Sequence, residues 1–429
     1  MSRPIAFVNA RLADPASGLD VAGGLLVRDG RIIDLGPSVF AAGLPDAEIV
    51  DCGGRVLAPG LVDLKVSTGE PGDEHRETIA SAGRAAAAGG VTTIALQPDT
   101  TPPVDDPALV EYIARAPCTV RALPMAALTQ GLRGEAMSEM ALLAGAGAVA
   151  FTDGDRTVAN TRVMRRALAY AATFDLLVAV HCEDPFLAEG GAMNEGETAT
   201  RLGLPGIPAA AEAIIVERDI RLAEITGARL HIAQVSTAAS LDAIARAKAR
   251  GLPVTCAVSA AHLALNENDV GTYLTFRKLS PPLRSDDDRR AMAKAVEDGL
   301  IDAIVSSHDP QAPDTKRQPF AQAAFGGAGL ETLLPVALAA FHDGRLSLCE
   351  ALAKVTCDPA RILRLADGTG TLAKGARADL CLFDPGAPRS IRREDLLSRS
   401  KNTPFEGLHF QGRVWRSYVA GRLAHESPP

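Results

Sequence analysis

Residues 58–72 read APGLVDLKVSTGEPG, and this stretch decides the fold. An apolar run between Pro59-Gly60 and Glu70-Pro71-Gly72 predicts a short buried strand. Alternate residues of a strand point to one face, so the side chains of Lys65 and Ser67 are expected to lie together near its end. The two polar groups that the strand presents there are an ammonium and a hydroxyl.

Beyond this strand, further buried strands alternate with alanine-rich helices. About eight strand-then-helix units follow one another over roughly 300 residues, which predicts an α/β fold with a closed (β/α)₈ TIM barrel at 58–365. An open doubly wound sheet is the alternative. The flanking segments 1–57 and 366–429 are predicted to be short strands, one of them at 370–372. We expect these two segments to join into one small β-sandwich beside the barrel.

Composition excludes several classes of function. The chain of 429 residues carries a formal net charge of −8 and has no Lys/Arg-rich run, so we expect no nucleic-acid partner. Its apolar stretches have the length of strands, and the N-terminus lacks a hydrophobic signal core, which predicts a cytoplasmic protein without membrane attachment. The seven cysteines are scattered singly, which indicates reduced thiols rather than disulfides or a C-x-x-C zinc site.

Short motifs recur in order along the whole chain, at PGLVD (59–63), EPG (70–72), GVTT (90–93), FTDG (151–154), MRRAL (164–168), HCED (181–184), MNEG (193–196), HIAQVST (231–237), SPPLR (280–284) and FGGAGLET (325–332). Together they resemble the motifs of bacterial type I dihydroorotases in the amidohydrolase superfamily. In that family the segment like 58–72 is the first barrel strand and carries a His-x-His metal pair. The resemblance implies a cyclic-amide hydrolase that uses metal ions to polarise a carbonyl and generate hydroxide.

The metal set implied by the resemblance is depleted in this chain. The corresponding positions hold Lys65, Ser67, Asp153, His181, Gln234 and Ser307. A protonated lysine cannot coordinate a metal, and serine and glutamine oxygens are poor zinc donors. Only Asp153 and His181 are good ligands, so we expect no cofactor. Zinc bound by Asp153, His181 and His308 is the alternative.

The proton shuttle and the substrate clamp implied by the resemblance are also altered. Ser307 stands where the family has its catalytic carboxylate, and a displaced base at Asp309 is the alternative. Gly69 stands where the family has an arginine, and Asp99 would repel a carboxylate substrate. His262 is retained while its neighbour is Ala261, and we interpret His262 as a histidine of the core or the barrel mouth.

Lys65 suggests a specific hypothesis. Without a metal, Asp153 would be an unpaired buried carboxylate, which is costly. The ammonium of Lys65 could replace the missing cation beside Asp153. The alternative is that Lys65 extends out of the barrel mouth into water.

These observations favour a dihydroorotase-like protein that has no dihydroorotase activity. The resemblance includes non-catalytic homologues that associate with aspartate carbamoyltransferase in pyrimidine biosynthesis, and it therefore implies that partner and an oligomeric assembly. One alternative is an active, divergent amidohydrolase that acts on another cyclic amide. Another is a fully active zinc dihydroorotase.

Overall fold

The N-terminal segment forms short strands, as predicted. The computed structural model describes residues 3–428, and its first strands are β1 (Ile5–Asp14), β2 (Leu19–Arg28), β3 (Arg31–Gly36), β4 (Glu48–Asp51) and β5 (Val56–Pro59). The turn between β2 and β3 is Asp29-Gly30, and both residues have positive φ. A tight hairpin turn of this kind favours Asp-Gly.

From Leu61 onward the strands are mostly parallel. They are β6 (Leu61–Val66), β7 (Val91–Leu96), β8 (Arg121–Pro124), β9 (Ala126–Ala127), β10 (Phe151–Thr152), β11 (Leu177–Val180), β12 (Met193–Asn194), β13 (Gly206–Ile207), β14 (Arg229–Ile232), β15 (Val254–Ser259) and β16 (Ala303–Val305). The C-terminal strands are β17 (Leu380–Ser390), β18 (His409–Val419) and β19 (Arg422–Glu426).

Helices cover the parallel strands. They are α1 (Ile79–Ala88), α2 (Pro107–Arg115), α3 (Met140–Gly145), α4 (Thr161–Thr173), α5 (Pro185–Ala188), α6 (Glu197–Leu202), α7 (Ala209–Thr226), α8 (Ala238–Ala249), α9 (Ala260–Ala264), α10 (Asp286–Glu297), α11 (Pro313–Lys316), α12 (Leu333–Ala337), α13 (Ala339–His342), α14 (Leu348–Ala353) and α15 (Cys357–Ile362). Within residues 3–428, no helix combines the length and the apolar character that crossing a membrane requires.

The parallel strands form two larger sheets and a separate pair, β12-β13, rather than one continuous ring. One has the order β16-β15-β14-β11-β10-β9, and the other has the order β6-β7-β8. The sheets adjoin at Met125, between β8 and β9, and a parallel bridge joins Val66 to His308 at the other junction. The α/β architecture is therefore confirmed, while closure of the barrel stays a prediction.

The two terminal segments share one sheet with the order β19-β18-β17-β5-β1-β2-β3, in which β4 also pairs with β1. The second layer of the predicted sandwich and the exact domain boundaries stay predictions. The predicted strand at 370–372 is wrong. Gly370 adopts a φ of +85° and packs against the backbone of Cys357, so the chain turns there instead of extending.

A register shift in β6 directs its polar residues toward the site. Val62 and Leu64 belong to the inner apolar cluster, whereas Val66 belongs to the cluster beneath the helices. The carboxylate of Asp63 accepts hydrogen bonds from the backbone N–H groups of Lys65 and Ser306, each at 3.2 Å. Burial raises the pKa of Asp63 to about 6. Because the ladder shifts between Asp63 and Val66, Lys65 lies on the inner side.

A buried ion network joins α7 to the segment before α10. The Arg284 guanidinium donates to Ser236 Oγ and Asn194 Oδ1, both at 3.0 Å, and lies 3.9 Å from Glu212. Burial acts to raise the pKa of Glu212, but Arg284 and the Ser236 hydroxyl outweigh it, and the pKa lies below its usual value. The network therefore depends on the arginine.

We predict that Arg284→Met lowers the free energy of unfolding by about 3–5 kcal/mol, because it leaves the Glu212 carboxylate buried and unpaired. Urea denaturation measures this. Arg290→Met is the matched control, since Arg290 is exposed and pairs with Asp286 at the surface. A loss in Arg284→Met no larger than in the control would contradict the network's role.

His231 gives the fold a defined pH dependence. It is buried, its Nδ1 lies 2.9 Å from Thr255 Oγ1, and burial lowers its pKa to about 4. In the unfolded chain His231 takes up a proton below about pH 6.5, whereas in the folded chain it does so only near pH 4. The free energy of unfolding therefore decreases as pH falls from 6.5 toward 4. We predict that the stability difference between the wild type and His231→Gln shifts against the wild type by roughly 3 kcal/mol over this range. Urea titrations at several pH values test this, and a pH-independent difference would contradict it.

Candidate functional site

The polar residues predicted from the sequence gather mainly where the parallel strands end, and we call this end the mouth. The side chains that meet there come from the end of β6 and from the loops after β6, β7, β10, β11, β14 and β16, and all of them except Asp155 were predicted from the sequence. They are Lys65, Ser67, Asp99, Asp155, His181, Gln234, Ser307 and Asp309.

Lys65 is the buried cation of the mouth. Its side chain is 5% exposed, and its ammonium forms an ion pair with the carboxylate of Asp155. Burial acts to lower the pKa of Lys65, but the charges of Asp155 and Asp99 outweigh it and hold the pKa above its usual value. Lys65 therefore stays protonated, and it does not extend into water.

The ion pair predicted between Lys65 and Asp153 is not formed. The partner of Lys65 is Asp155, two residues further along the chain. Asp153 accepts hydrogen bonds from the backbone N–H of Thr129, at 2.8 Å, and from the Thr129 hydroxyl. Gly154, with a φ of +67°, follows it, and Asp155 is the carboxylate that reaches Lys65. Asp153 thus ties two loops together.

His181 and Asp99 lie on either side of this ion pair. His181 Nδ1 is 3.8 Å from Asp155 Oδ1, and its Nε2 is 3.4 Å from the Ser280 hydroxyl. Asp99 accepts a hydrogen bond from the Ser67 hydroxyl at 3.1 Å. Burial and the charge of Asp155 raise the pKa of Asp99. The mouth therefore concentrates negative charge around Lys65.

The residues at two further predicted ligand positions bond to each other. The Gln234 amide donates to Ser307 Oγ at 2.8 Å. Ser307 has a φ of +51°, a strained backbone conformation for a residue with a side chain. The two side chains therefore satisfy each other, and Ser307 supplies a hydroxyl where the resemblance implies a carboxylate.

Asp309, the residue considered as a displaced base, lines the mouth together with Ser307. Arg76 donates to Asp309 Oδ1 at 2.6 Å and to the Pro310 carbonyl at 3.2 Å. Burial raises the pKa of Asp309 to about 6, although Arg76 opposes the shift. The arginine thus connects the loop after β6 to the loop after β16.

Gly69 has no room for a larger side chain. A Cβ at this position would overlap the backbone carbonyl of Asp73, because the loop folds back so that the Asp73 N–H donates to the Gly69 carbonyl. The arginine that this loop does bring to the mouth is Arg76, which lies further along the chain and pairs with Asp309.

The two remaining histidines are held by neighbours rather than presented to a ligand. His262 Nδ1 is 2.7 Å from Ser259 Oγ, its Nε2 is 3.1 Å from the Pro282 carbonyl, and burial lowers its pKa to about 4. His308 Nδ1 accepts from the Gly329 N–H at 3.2 Å, so its Nε2–H faces Glu77, 3.6 Å away. His262 lines the mouth as interpreted, and His308 points away from Asp153 and His181.

The donors present do not fit a catalytic metal. Within residues 3–428, no three His, Cys, Asp or Glu side chains are close enough to hold a metal ion together. The ammonium of Lys65 lies against the carboxylate that would otherwise be available, and ammonium repels a cation. The alternative ligand set of Asp153, His181 and His308 is not assembled.

The mouth is nearly filled by the protein itself. The cavity beneath the loops, lined by Asp155, Gln234, His262, Ser307 and Asp309 among others, leaves about 20 Å³ for the centres of water-sized molecules. That is room for about one water. A ring-shaped substrate enters only if these loops open.

The sequence did not identify Asp155 or Arg76 as site residues. Gly154 is the one signal for Asp155 in the sequence. A glycine lets the chain reverse, so either Asp153 or Asp155, on its two sides, could have been expected to reach the mouth. Arg76 had no such signal, because its place in the mouth depends on how the loop from Gly69 to Glu77 folds.

Comparison with known proteins identifies the family. The family model described as "Dihydro-orotase-like" matches residues 54–240. The dihydroorotase of Anaplasma phagocytophilum (strain HZ) is 43% identical over 433 residues, covering 99% of this chain and 95% of that protein. The dihydroorotase of Syntrophobacter fumaroxidans (strain DSM 10017 / MPOB) is 43% identical over 423 residues, covering 97% and 96%.

Solved structures with the same fold are more distant in sequence. The L-hydantoinase (dihydropyrimidinase) from Arthrobacter aurescens superimposes with a TM-score of 0.89 at 24% identity, covering 100% of this chain and 97% of that one. The dihydropyrimidinase from Brevibacillus agri NCHU1002 gives a TM-score of 0.85 at 20% identity, covering 98% and 94%. These similarities show an α/β fold of the TIM-barrel type. On the strength of the curated relatives, this chain belongs to the dihydroorotase family.

Proposed function

We propose that this member of the dihydroorotase family has no dihydroorotase activity and serves as a structural partner of aspartate carbamoyltransferase. The observation that carries the proposal is the buried ion pair of Lys65 and Asp155. A cation supplied by the chain stands among the carboxylates where the family's resemblance implies a metal.

The chemistry of ring hydrolysis supports the same conclusion. Hydrolysis of a cyclic amide needs a polarised carbonyl, an activated water and a group that moves a proton. Ser307 has a hydroxyl that is too weakly acidic for this, and it is already bonded to Gln234. Asp309 is the acid of suitable pKa in the mouth, but Arg76 holds it.

The partner role rests on the family resemblance. A structural role does not require an open catalytic site, and the cavity at the mouth has space for about one water. The cytoplasmic location and the oligomeric assembly belong to the same proposal.

A second candidate, an active amidohydrolase, is favoured by one specific observation. Relatives named dihydroorotase are 43% identical over nearly the whole chain. Activity would require the loops over the mouth to open and Lys65 to leave Asp155. It would also need metal ligands that residues 3–428 do not bring together in this structure.

We predict that protein purified without chelator contains no stoichiometric zinc and does not interconvert dihydroorotate and carbamoyl aspartate. Elemental analysis and a coupled spectrophotometric assay measure the two quantities on the same preparation. A catalytically active dihydroorotase from a curated relative serves as the assay control. One zinc per chain together with turnover would overturn the proposal in favour of the second candidate.

The partner role has its own test, which does not depend on the assay. Co-expression with the aspartate carbamoyltransferase of the same organism is expected to give a complex of fixed stoichiometry in size-exclusion chromatography with light scattering. Failure of the two proteins to associate at micromolar concentrations would contradict the scaffold role even if the protein is inactive.

We also predict that Lys65→Met lowers the free energy of unfolding by about 3 kcal/mol, because Asp155 and Asp99 lose their buried counter-charge. Lys65→Met/Asp155→Leu is expected to recover most of the loss, since it removes both charges. Lys294→Met is the matched control, because the ion pair of Lys294 with Asp298 is exposed and its loss costs about 0–1 kcal/mol. A double variant no more stable than Lys65→Met would show that the pair is not coupled.

A further inference from the structure

Two loop segments cover one side of the mouth cavity, and we call them the lid segments. The first, 273–280, lies between α9 and α10, and the second, 313–327, begins with α11. The cavity-lining residues that they supply are Leu279, Ser280, Gly326 and Gly327. The Gly326 N–H donates to the Lys278 carbonyl at 3.0 Å, so the segments meet where they reach the cavity. Separation of the two segments would therefore widen the mouth.

Lys316 ties the second lid segment to the first. Its ammonium donates to three backbone carbonyl groups, those of Thr275 at 3.0 Å, Lys278 at 3.2 Å and Ala324 at 2.7 Å. The Thr275 hydroxyl donates in return to the Lys316 carbonyl at 2.6 Å. Because carbonyl groups of both segments converge on this one group, its charge affects how closely the segments meet.

Lys278 makes the reciprocal contact, from the first lid segment to the second. Its ammonium donates to the Ala321 carbonyl at 2.9 Å and lies 4.4 Å from the ring centroid of Phe325 and 5.8 Å from that of Phe320. Lys278 and Lys316 are each 3% exposed. Two buried ammonium groups thus join the lid segments through carbonyl oxygens and aromatic faces.

Neither of these ammonium groups has a carboxylate partner. In the part of the chain that the structure describes, Lys278 and Lys316 form no ion pair, and their hydrogen bonds go to backbone carbonyls. By contrast, Lys65, Lys248 and Lys354, which are also buried or partly buried, each pair with an aspartate. Burying a cation without a counter-charge is costly, so the closed lid is least stable when both lysines are charged.

The surroundings favour the neutral form of both lysines. Burial lowers the pKa of Lys316 to about 7, with the charge of Lys278 adding to the shift and that of Asp309 opposing it. Asp309 is itself held by Arg76. Burial lowers the pKa of Lys278 to about 8. A neutral amine keeps two of its N–H donors, so most of the contacts between the segments survive loss of the proton.

The other charged groups of the lid segments do not change this balance. The Arg277 guanidinium donates to the backbone carbonyls of Asp269 at 2.7 Å and Pro404 at 3.2 Å. Asp314 and Arg317 are exposed to water, which screens their charges. Protonation of the two lysines is therefore governed by burial, by their mutual repulsion and by Asp309.

We propose that Lys278 and Lys316 make closure of the mouth depend on pH, so that the lid segments stay together when the two amines are neutral and separate when they are protonated. In an open state water hydrates both groups, and each lysine holds its proton up to about pH 10.5. The closed state loses these protons near pH 7 to 8. The open state therefore binds more protons, and falling pH favours it. The proposal concerns access to the mouth, so it does not depend on whether the mouth is catalytic.

Hydrogen exchange of the full-length chain tests the proposal. Protection factors divide out the intrinsic pH dependence of exchange. For backbone amides of the lid segments they are expected to rise about tenfold or more between pH 6.5 and pH 9. The amides of the surface helix α4 serve as the internal reference and are expected to keep their protection.

Neutral substitutions separate the two lysines from a general effect of pH. Lys316→Gln keeps N–H donors for the carbonyl groups, Lys278→Met keeps an apolar contact with the phenylalanine rings, and neither replacement can gain a proton. The double variant is expected to show lid protection that does not change over this pH range. Lys294→Gln/Lys374→Met is the matched control, because both lysines are exposed and pair with aspartates, and it is expected to keep the wild-type profile.

Three results would each overturn the proposal. They are lid protection in the wild type that is constant or falls as pH rises, a double variant that keeps the wild-type pH dependence, and an equal change at α4. If the double variant does not fold, the wild-type profile and the single variant Lys278→Met decide. Lys278→Met is expected to reduce the pH dependence of lid protection, and an unchanged profile would contradict the role of Lys278.

Discussion

The mouth of this protein depends on one buried ammonium. Lys65 reaches the inner side of the sheets because Asp63 holds a register shift in β6, and its charge meets the carboxylate of Asp155. An isolated charge of either sign would be costly at this depth. Pairing offsets the free-energy cost of burying each charge. The neighbouring polar side chains make further contacts with the carboxylates. Ser67 satisfies Asp99, and His181 packs beside Asp155.

The same balance extends to the loops above. Asp309 adds another carboxylate, and Arg76 brings a second cation from the loop after β6. Asp153, which could have added further negative charge, instead bonds the backbone and hydroxyl of Thr129. The carboxylates of the mouth are thus balanced by cationic side chains of the chain itself.

Much of this could be predicted from the sequence, and the limits have physical reasons. The alternation of buried strands with alanine-rich helices predicted the α/β class, and helices α1, capped by the Thr78 hydroxyl, and α7 belong to that pattern. Strand alternation predicts that Lys65 and Ser67 share a face, but the register shift between Asp63 and Val66 that places Lys65 inside depends on the contacts of the Asp63 carboxylate. The choice between Asp153 and Asp155 was not predictable, because it depends on the φ of one glycine and on the free N–H of Thr129 in a different loop. The contact of Arg76 with Asp309 joins residues far apart in sequence, which no local pattern encodes.

Gly69 limits what the loop after β6 can present to the mouth. Its loop has closed so tightly that the space of a single methyl group is taken by the Asp73 carbonyl. An arginine at this position would meet backbone rather than solvent, so the turn that the Asp73 N–H and the Gly69 carbonyl close would first have to open. A single substitution at residue 69 therefore cannot add a side chain to the mouth. Any such change needs a second one that moves the backbone of Asp73.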